Sequence, residues 1–188
     1  MASEDRRTVI LETALSRLAD AGMDGLSHRA IDRTAGLPLG TTSNYFSKKN
    51  DLILASADHL CDLLGKDCDD LQVSFSETVA AHGLDAGIAH VGNELTAYVE
   101  DHRHLFLARL ELTLAATRNP ALGDIGTQLA TAAQRPIAFF LRLIAENPNS
   151  ETIAISAAFI DALSLNYATG QSPRPDPAQL KNILKSIL

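Results

Sequence analysis

LSHRAIDRTAGLPLGTTSNYFSKKNDLIL, residues Leu26 to Leu54, is the stretch on which the reading of the whole chain turns. Ser27 is placed to cap a helix from His28 to Ala35, because its hydroxyl oxygen can accept an N–H of the first turn. Gly36 ends that helix, supplying the positive φ of a sharp turn. Pro38 is expected in the first turn of a second short helix, Leu39 to Tyr45, where a missing N–H costs nothing. Ser47 is expected to cap a long helix from about Lys49 to Asp70. Upstream, Ile10 or Leu11, Ala14, Leu15 and Leu18 form one apolar stripe at helical spacing. That helix is expected to be capped by Ser3 and stopped by Gly22. Two short helices joined by Gly36-Leu37-Pro38 behind a longer one form a helix-turn-helix in a three-helix head. Ala30, Ile31 and Ala35 are expected to face inward, with Leu37 and Phe46 closing a small core against Leu15, Leu18 and Leu26.

The second short helix is unlike a core helix. Thr41, Thr42, Ser43 and Asn44 are consecutive, short and polar. Burying such groups without partners costs about 1–3 kcal/mol each. Against DNA they have partners: hydroxyls reach phosphates or base acceptors, and Asn pairs with adenine. Gly40 is explained if the backbone must come close to something. The Tyr45 phenol can reach phosphate, and Lys48 and Lys49 follow at a helix N-terminus, where an anion is favoured.

In this segment the chain resembles the TetR-family DNA-binding head. The agreeing positions are Ser27, Ile31, Ala35-Gly36-Leu37, Gly40, Tyr45-Phe46, Lys49 and Leu52. The resemblance implies an all-α protein. Residues 1–54 would be the helix-turn-helix domain, and residues 55–188 a helical ligand-binding and dimerisation domain. It also implies phosphate contacts from Ser27, Arg29, Tyr45 and Lys49, with Lys48 beside them. Leu39, Thr41, Thr42, Ser43 and Asn44 would lie on the base-reading helix. Three positions depart from the family pattern. Pro38 stands where Ser or Thr is frequent, Ser43 where an aromatic is frequent, and Asp32 where Ala is usual. An acid at residue 32 opposes nearby phosphate if it is exposed.

Net charge is −7, but the first 50 residues carry seven Lys/Arg against six Asp/Glu, so the acidity belongs to the rest. A near-neutral head can meet DNA while an acidic body stays in solvent. No apolar run approaches the roughly 18–20 residues that cross a bilayer. The opening MASEDRRT lacks an apolar signal core, so a cytoplasmic location is expected. Further helices are expected near 74–82, 86–100, 103–117, 121–145, 151–169 and 177–187. Their breaks fall at Gly83 with Asp85, Asn119-Pro120, Asn147-Pro148-Asn149 and Gly170 to Pro177. Pro136 is expected to kink or split the 121–145 segment. Cys61 and Cys68, seven apart on one helix, are separated by about 10.5 Å along its axis. That distance excludes a bridge between them. Reduced thiols are one reading and a redox sensor the other.

The resemblance implies a homodimer through the helices near 121–145 and 151–169, a double-stranded DNA operator and a small-molecule effector. The late segments mix small and aliphatic residues, which suits a four-helix dimer bundle or an ordinary core. His90, Glu94, Tyr98, Phe106, Arg109, Leu110 and Phe139 are the candidates for a ligand pocket, with core packing the alternative for the apolar ones. His102 and His104, two apart, do not suit a helical zinc site, and no metal or cofactor is expected. There is no phosphate loop, HExxH, serine elbow or CxxC, so no catalytic residue is assigned. The expected function is a ligand-responsive DNA-binding regulator. It would act as a dimeric repressor of a pseudo-palindromic operator and be released by an effector. A helical binding module without DNA, and a small helical enzyme, are the rivals.

Overall fold

The computed structural model describes residues 3–144, 149–174, 176 and 178. Among them there are eight α-helices, one 3₁₀ turn and no strand. The helices are α1 (Ser3–Gly25), α2 (His28–Thr34), α3 (Thr41–Tyr45), α4 (Lys49–His82), α5 (Leu84–Asp101), α6 (Arg103–Arg118), α7 (Ile125–Ile144) and α8 (Ser150–Ala168). The fold is all-α, as the periodicity and the resemblance both implied.

The described residues fall into two compact units. One lies within Met1–Leu63 and His104–Ala130, the other within Leu64–Arg103 and Thr131–Leu188. In the first, α1 packs on α2 and α2 on α3. Ile10, Leu11, Ala14, Leu15 and Leu18 are buried, as are Leu26, Ile31, Phe46, Leu52 and Leu60. Each such Leu or Ile contributes about 1.5–3 kcal/mol of apolar burial. Ala30, Ala35 and Leu37 are half-buried rather than central. The backbone of α1 leaves helical geometry at Gly22 (φ 62, ψ −164), and Gly36 takes φ 65. Both glycines therefore break the chain where the sequence placed the breaks. The side chain of Ser3, the expected cap, lies outside the described residues.

The long helix differs from expectation. It runs unbroken from Lys49 to His82 and absorbs the separate helix expected at 74–82. No Gly or Pro occurs between Lys66 and His82 to interrupt it. The hydroxyls of Ser74, Ser76 and Thr78 donate to the carbonyls of Leu71, Gln72 and Ser74, so these polar residues fit a helix interior. Its N-terminus is also built differently. The Asp51 carboxylate accepts the Lys48 N–H at 3.2 Å, and the Ser47 hydroxyl turns to Asp51 instead of capping the backbone.

In the second unit, Phe75, Val91 and Phe140 form one cluster, flanked by Leu71, Val79, Leu95 and Phe139. Ile137, Leu141, Ile153, Ala157 and Ile160 form another between α7 and α8. The Arg103 guanidinium donates to the Ala168 carbonyl at 2.6 Å, joining the start of α6 to the end of α8. Pro136 sits inside α7 without splitting it. Asn119 caps the 3₁₀ turn and Asn149 caps α8. The helix expected at 177–187 and residues 147 and 148 lie outside the described residues. Cys61 and Cys68 are both on α4 and both free. Burial, with Asp58 and Asp62 nearby, pushes the Cys61 thiol up, away from the reactive thiolate.

His59, on α4, has a buried Nε2 with no hydrogen-bond partner among the described residues. Burial holds its imidazole below the usual 6.5 against Glu12 and Asp62, and Arg7 adds to the lowering. The unfolded chain therefore takes up this proton at higher pH than the folded one, and stability falls as pH drops through 6.5 toward the folded value. Urea unfolding compared at about pH 7.5 and about pH 5.5 checks this. The midpoint is expected to fall less in His59→Gln than in the unsubstituted protein; an equal fall removes His59 as its source.

Candidate nucleic-acid interface

The site begins with a helix too short to hold itself. Helix α3 has five residues, and nucleating one turn is unfavourable without outside support. Its N-cap is Gly40, which has no side chain to accept an N–H. The support comes from α2. Asp32 is buried, and its two carboxylate oxygens take three hydrogen bonds from the start of α3. Oδ2 accepts the Gly40 N–H at 2.7 Å, while Oδ1 accepts the Thr42 N–H at 2.8 Å and the Thr42 hydroxyl at 2.6 Å. The Pro38 carbonyl closes the same turn, accepting the Thr41 N–H at 3.1 Å and the Thr41 hydroxyl at 2.6 Å.

Burial alone pushes the Asp32 carboxyl up. The hydrogen bonds from Thr42 and Gly40, helped by His28, outweigh it and hold the group below the ordinary 3.8. Asp32 thus stays ionised near neutrality. Its stabilising contribution is whole above pH 3.8 and is lost only as pH falls through the lower folded value. The acid therefore presents no charge outward toward phosphate, because it is folded under α3.

Three sequence expectations change here. Thr42, expected at base edges, is fully buried and spends its hydroxyl on Asp32. Asp32, which would oppose phosphate only if exposed, is buried. Pro38 and Leu39 precede α3 instead of opening it. Gly40 is explained by its own backbone, at φ 93 and ψ −8, since an added Cβ would meet nothing nearer than the Ser43 hydroxyl at 3.9 Å. The remaining candidates lie as follows. Leu39 is 69% exposed, a large apolar side chain at the tip of the turn. Ser43 and Asn44 are exposed, with Thr41 and Tyr45 half-buried. The Ser43 hydroxyl donates to the Gly40 carbonyl at 2.9 Å. Asn44 makes no side-chain hydrogen bond among the described residues. Ser27 accepts the Ala30 N–H at 3.2 Å as a helix cap and keeps its own proton to donate. Arg29, Lys48 and Lys49 are exposed.

One residue in this unit is held through its backbone from two sides. The Glu111 carboxylate of α6 accepts the Met23 N–H at 3.2 Å, and the Lys49 ammonium donates to the Met23 carbonyl at 2.9 Å. Sequence reasoning did not foresee this tie of Glu111 to a partner 88 residues away. It also missed the capping role of Asp32. The available signal was an acid directly after the buried Ile31, with a hydroxyl residue ten positions on.

The ligand candidates divide between the two units. In the second, His90 Nε2 lies 3.0 Å from the Ser74 hydroxyl and its Nδ1 3.9 Å from Glu94. The Tyr98 phenol donates to Asp67 at 2.6 Å, and its ring stacks on His102 with centroids 4.2 Å apart. Phe139 meets Phe140 edge-on at 5.0 Å. In the first unit, Arg109 is buried with its guanidinium over the Phe106 ring, and Leu110 is half-buried. Among the described residues no group of three or more His, Cys, Asp or Glu is placed to hold a metal ion.

Residues 83–188 match the family described as tetracyclin repressor-like, C-terminal domain. The chain belongs to the TetR family. A curated relative, the HTH-type transcriptional regulator BetI of Brucella abortus (strain 2308), is 25% identical over 174 residues, covering 92% of this chain and 84% of that protein. Two solved structures share the TetR fold. A TetR-family member from Streptomyces coelicolor A3 aligns with a TM-score of 0.68 and 23% identity over 98% of each chain. The multidrug binding protein EbrR, complexed with ethidium, aligns with a TM-score of 0.65 and 23% identity over 100% of both chains. The protein is thus a TetR-family regulator with an N-terminal helix-turn-helix and a helical C-terminal part.

The turn before α3 sets a clear constraint on Gly40. Gly40→Ala is expected to destabilise the protein by about 1–3 kcal/mol, because a side chain there is strained at positive φ. Urea denaturation followed by circular dichroism measures it. A loss below about 0.5 kcal/mol would contradict the conformational role.

Proposed function

We propose that this chain is a dimeric DNA-binding repressor that reads a pseudo-palindromic operator in the cytoplasm and is released by a small-molecule effector. The observation that carries the DNA reading is the exposed set of Leu39, on the turn before a braced short helix, and Ser43 and Asn44 on it, flanked by exposed Arg29, Lys48 and Lys49. Asn44 suits an adenine edge, and Leu39 suits a thymine methyl by apolar contact. Thr41 joins this set, half-buried. Ser27, Arg29, Tyr45, Lys48 and Lys49 are assigned to phosphates, which position the head without reading sequence. The head would comprise residues 1–54 and the effector and dimer region residues 55–188.

The dimer reading rests on α7 and α8. On α8, Ala154, Ile155, Ala158, Phe159 and Ala162 are exposed on one stripe, with Ile155 at 64% and Phe159 at 50%. Leu143 of α7 is also exposed. A contiguous apolar stripe of this kind favours a covered surface, and a two-fold partner covers it with the same stripe. Two heads held about 34–36 Å apart then meet successive major grooves.

The effector reading draws on EbrR, whose complexed ligand is ethidium, and on the second unit of this chain. There, Phe139 packs on the Phe75 and Phe140 cluster, while His90, Glu94 and Tyr98 supply polar groups on α5. An effector binding two conformations unequally shifts the population between them. Helix α4 is the element through which this shift would act, because Lys49 at its start grips the Met23 carbonyl of the head.

A gel-shift against the upstream region of the chain's own gene, repeated over a salt series, tests the DNA reading. Lys49→Ala is expected to weaken binding to all duplexes and flatten the salt slope by about one unit. Asn44→Ala is expected to lose about 1–3 kcal/mol of discrimination at particular bases with the slope kept. Indifference to duplexes at low ionic strength would sink the reading. For the dimer, sedimentation is expected to find the unsubstituted protein as a dimer and the double variant Ile155→Glu with Phe159→Glu as a folded monomer. A variant that stays dimeric would place the interface elsewhere.

A further inference from the structure

We infer that Asp32 is a positioning residue for sequence discrimination: its buried carboxylate sets the pose of α3 before DNA arrives. The inference rests on the DNA-binding reading and deepens it. Both oxygens of Asp32 are engaged, one by Gly40 and one twice by Thr42. A grip through two oxygens fixes rotation as well as distance, and hydrogen bonds to an ionised acceptor are the stronger kind. Asp32 follows Ile31, which is locked in the core of the head, so the grip ties α3 to the most rigid part of α2. Nothing else could do this from within α3, whose N-cap has no side chain.

The functional consequence separates two classes of contact. Base-edge contacts from Leu39 and Asn44 tolerate displacements of only about half an ångström before their geometry degrades. Phosphate contacts from Arg29 on α2 and from Lys48 and Lys49 at the start of α4 do not depend on the pose of α3. They carry the salt-dependent, sequence-independent part of binding. Loosening α3 therefore removes discrimination and spares general affinity, whereas unfolding the head removes both.

Two variants probe this. Asp32→Asn keeps the size but turns one oxygen into a donor facing donors. Thr42→Val keeps the shape and deletes only the hydroxyl bond. Binding is measured by fluorescence anisotropy to a duplex that the unsubstituted protein selects from a random-sequence pool, and to a scrambled duplex of equal length. In Asp32→Asn the ratio of the two affinities is expected to fall about tenfold or more, and in Thr42→Val by less, with the scrambled-duplex affinity and salt slope held within about twofold. Amide hydrogen exchange on the free protein supplies a readout without DNA. The Gly40 and Thr42 amides are expected to exchange faster in Asp32→Asn, while the Ile31 amide keeps its protection and shows the head still folded. Unchanged discrimination, a parallel loss on both duplexes, or unchanged exchange at Gly40 and Thr42 would overturn the inference. If the unsubstituted protein binds neither duplex, the DNA reading falls and this inference falls with it. If it discriminates and the variants discriminate equally, this inference alone is wrong.

Discussion

A buried carboxylate taking three hydrogen bonds holds the working end of this molecule together. Helix α3 is a single turn and a half of Thr, Thr, Ser, Asn and Tyr, residues that favour caps and turns over helix interiors. It exists because Asp32, on the preceding helix, satisfies the N–H groups that its own N-terminus leaves open. Removing the acceptor would strand two amides and a buried hydroxyl at once. The ionised carboxylate is solvated by these donors instead of by water, and it is buried under α3.

The same economy of single contacts recurs at Met23. Met23 lies just past the break at Gly22, where the backbone leaves helical geometry. Glu111 takes its N–H and Lys49 donates to its carbonyl, so the middle of α6 and the start of α4 both reach one residue of the head. An ammonium has three protons, so this bond leaves Lys49 two more for phosphate. In the proposed DNA reading, one side chain would then serve both a phosphate and a structural tie.

Charge and apolar surface are distributed by task. Acidic residues crowd the chain beyond the head, whose own charges balance. The exposed large apolar side chains include Leu39 on the turn before α3, Val73 of α4, Leu84 of α5, and Ile155 and Phe159 of α8. In the proposed reading, Leu39 meets a base edge and the α8 stripe a second subunit.

The amino-acid sequence alone determined the helical class, the order of helices through the head, and the breaks at Gly22 and Gly36. Those features follow from local rules of periodicity, capping and positive φ, which act within a few residues. Sequence reading also separated α5, α6 and α8 to within a few residues, because Gly83, Asn119-Pro120 and Gly170 punctuate the chain. It mistook α4 for two helices, since Val73 and Phe75 alternate with Gln72, Ser74 and Ser76, a spacing that carries little helical signal. It assigned Thr42 to DNA because a run of small polar residues does not say which one turns inward. Only the tertiary structure decided that. The choice depends on which side chain α2 offers to α3, and the clasp on Met23 depends on Glu111 arriving from 88 residues away. The 88-residue pairing leaves no trace in local spacing, because the chain between the partners can take any path until the core fixes it, and the ten-residue one shows only as an acid and a hydroxyl that spacing alone does not pair.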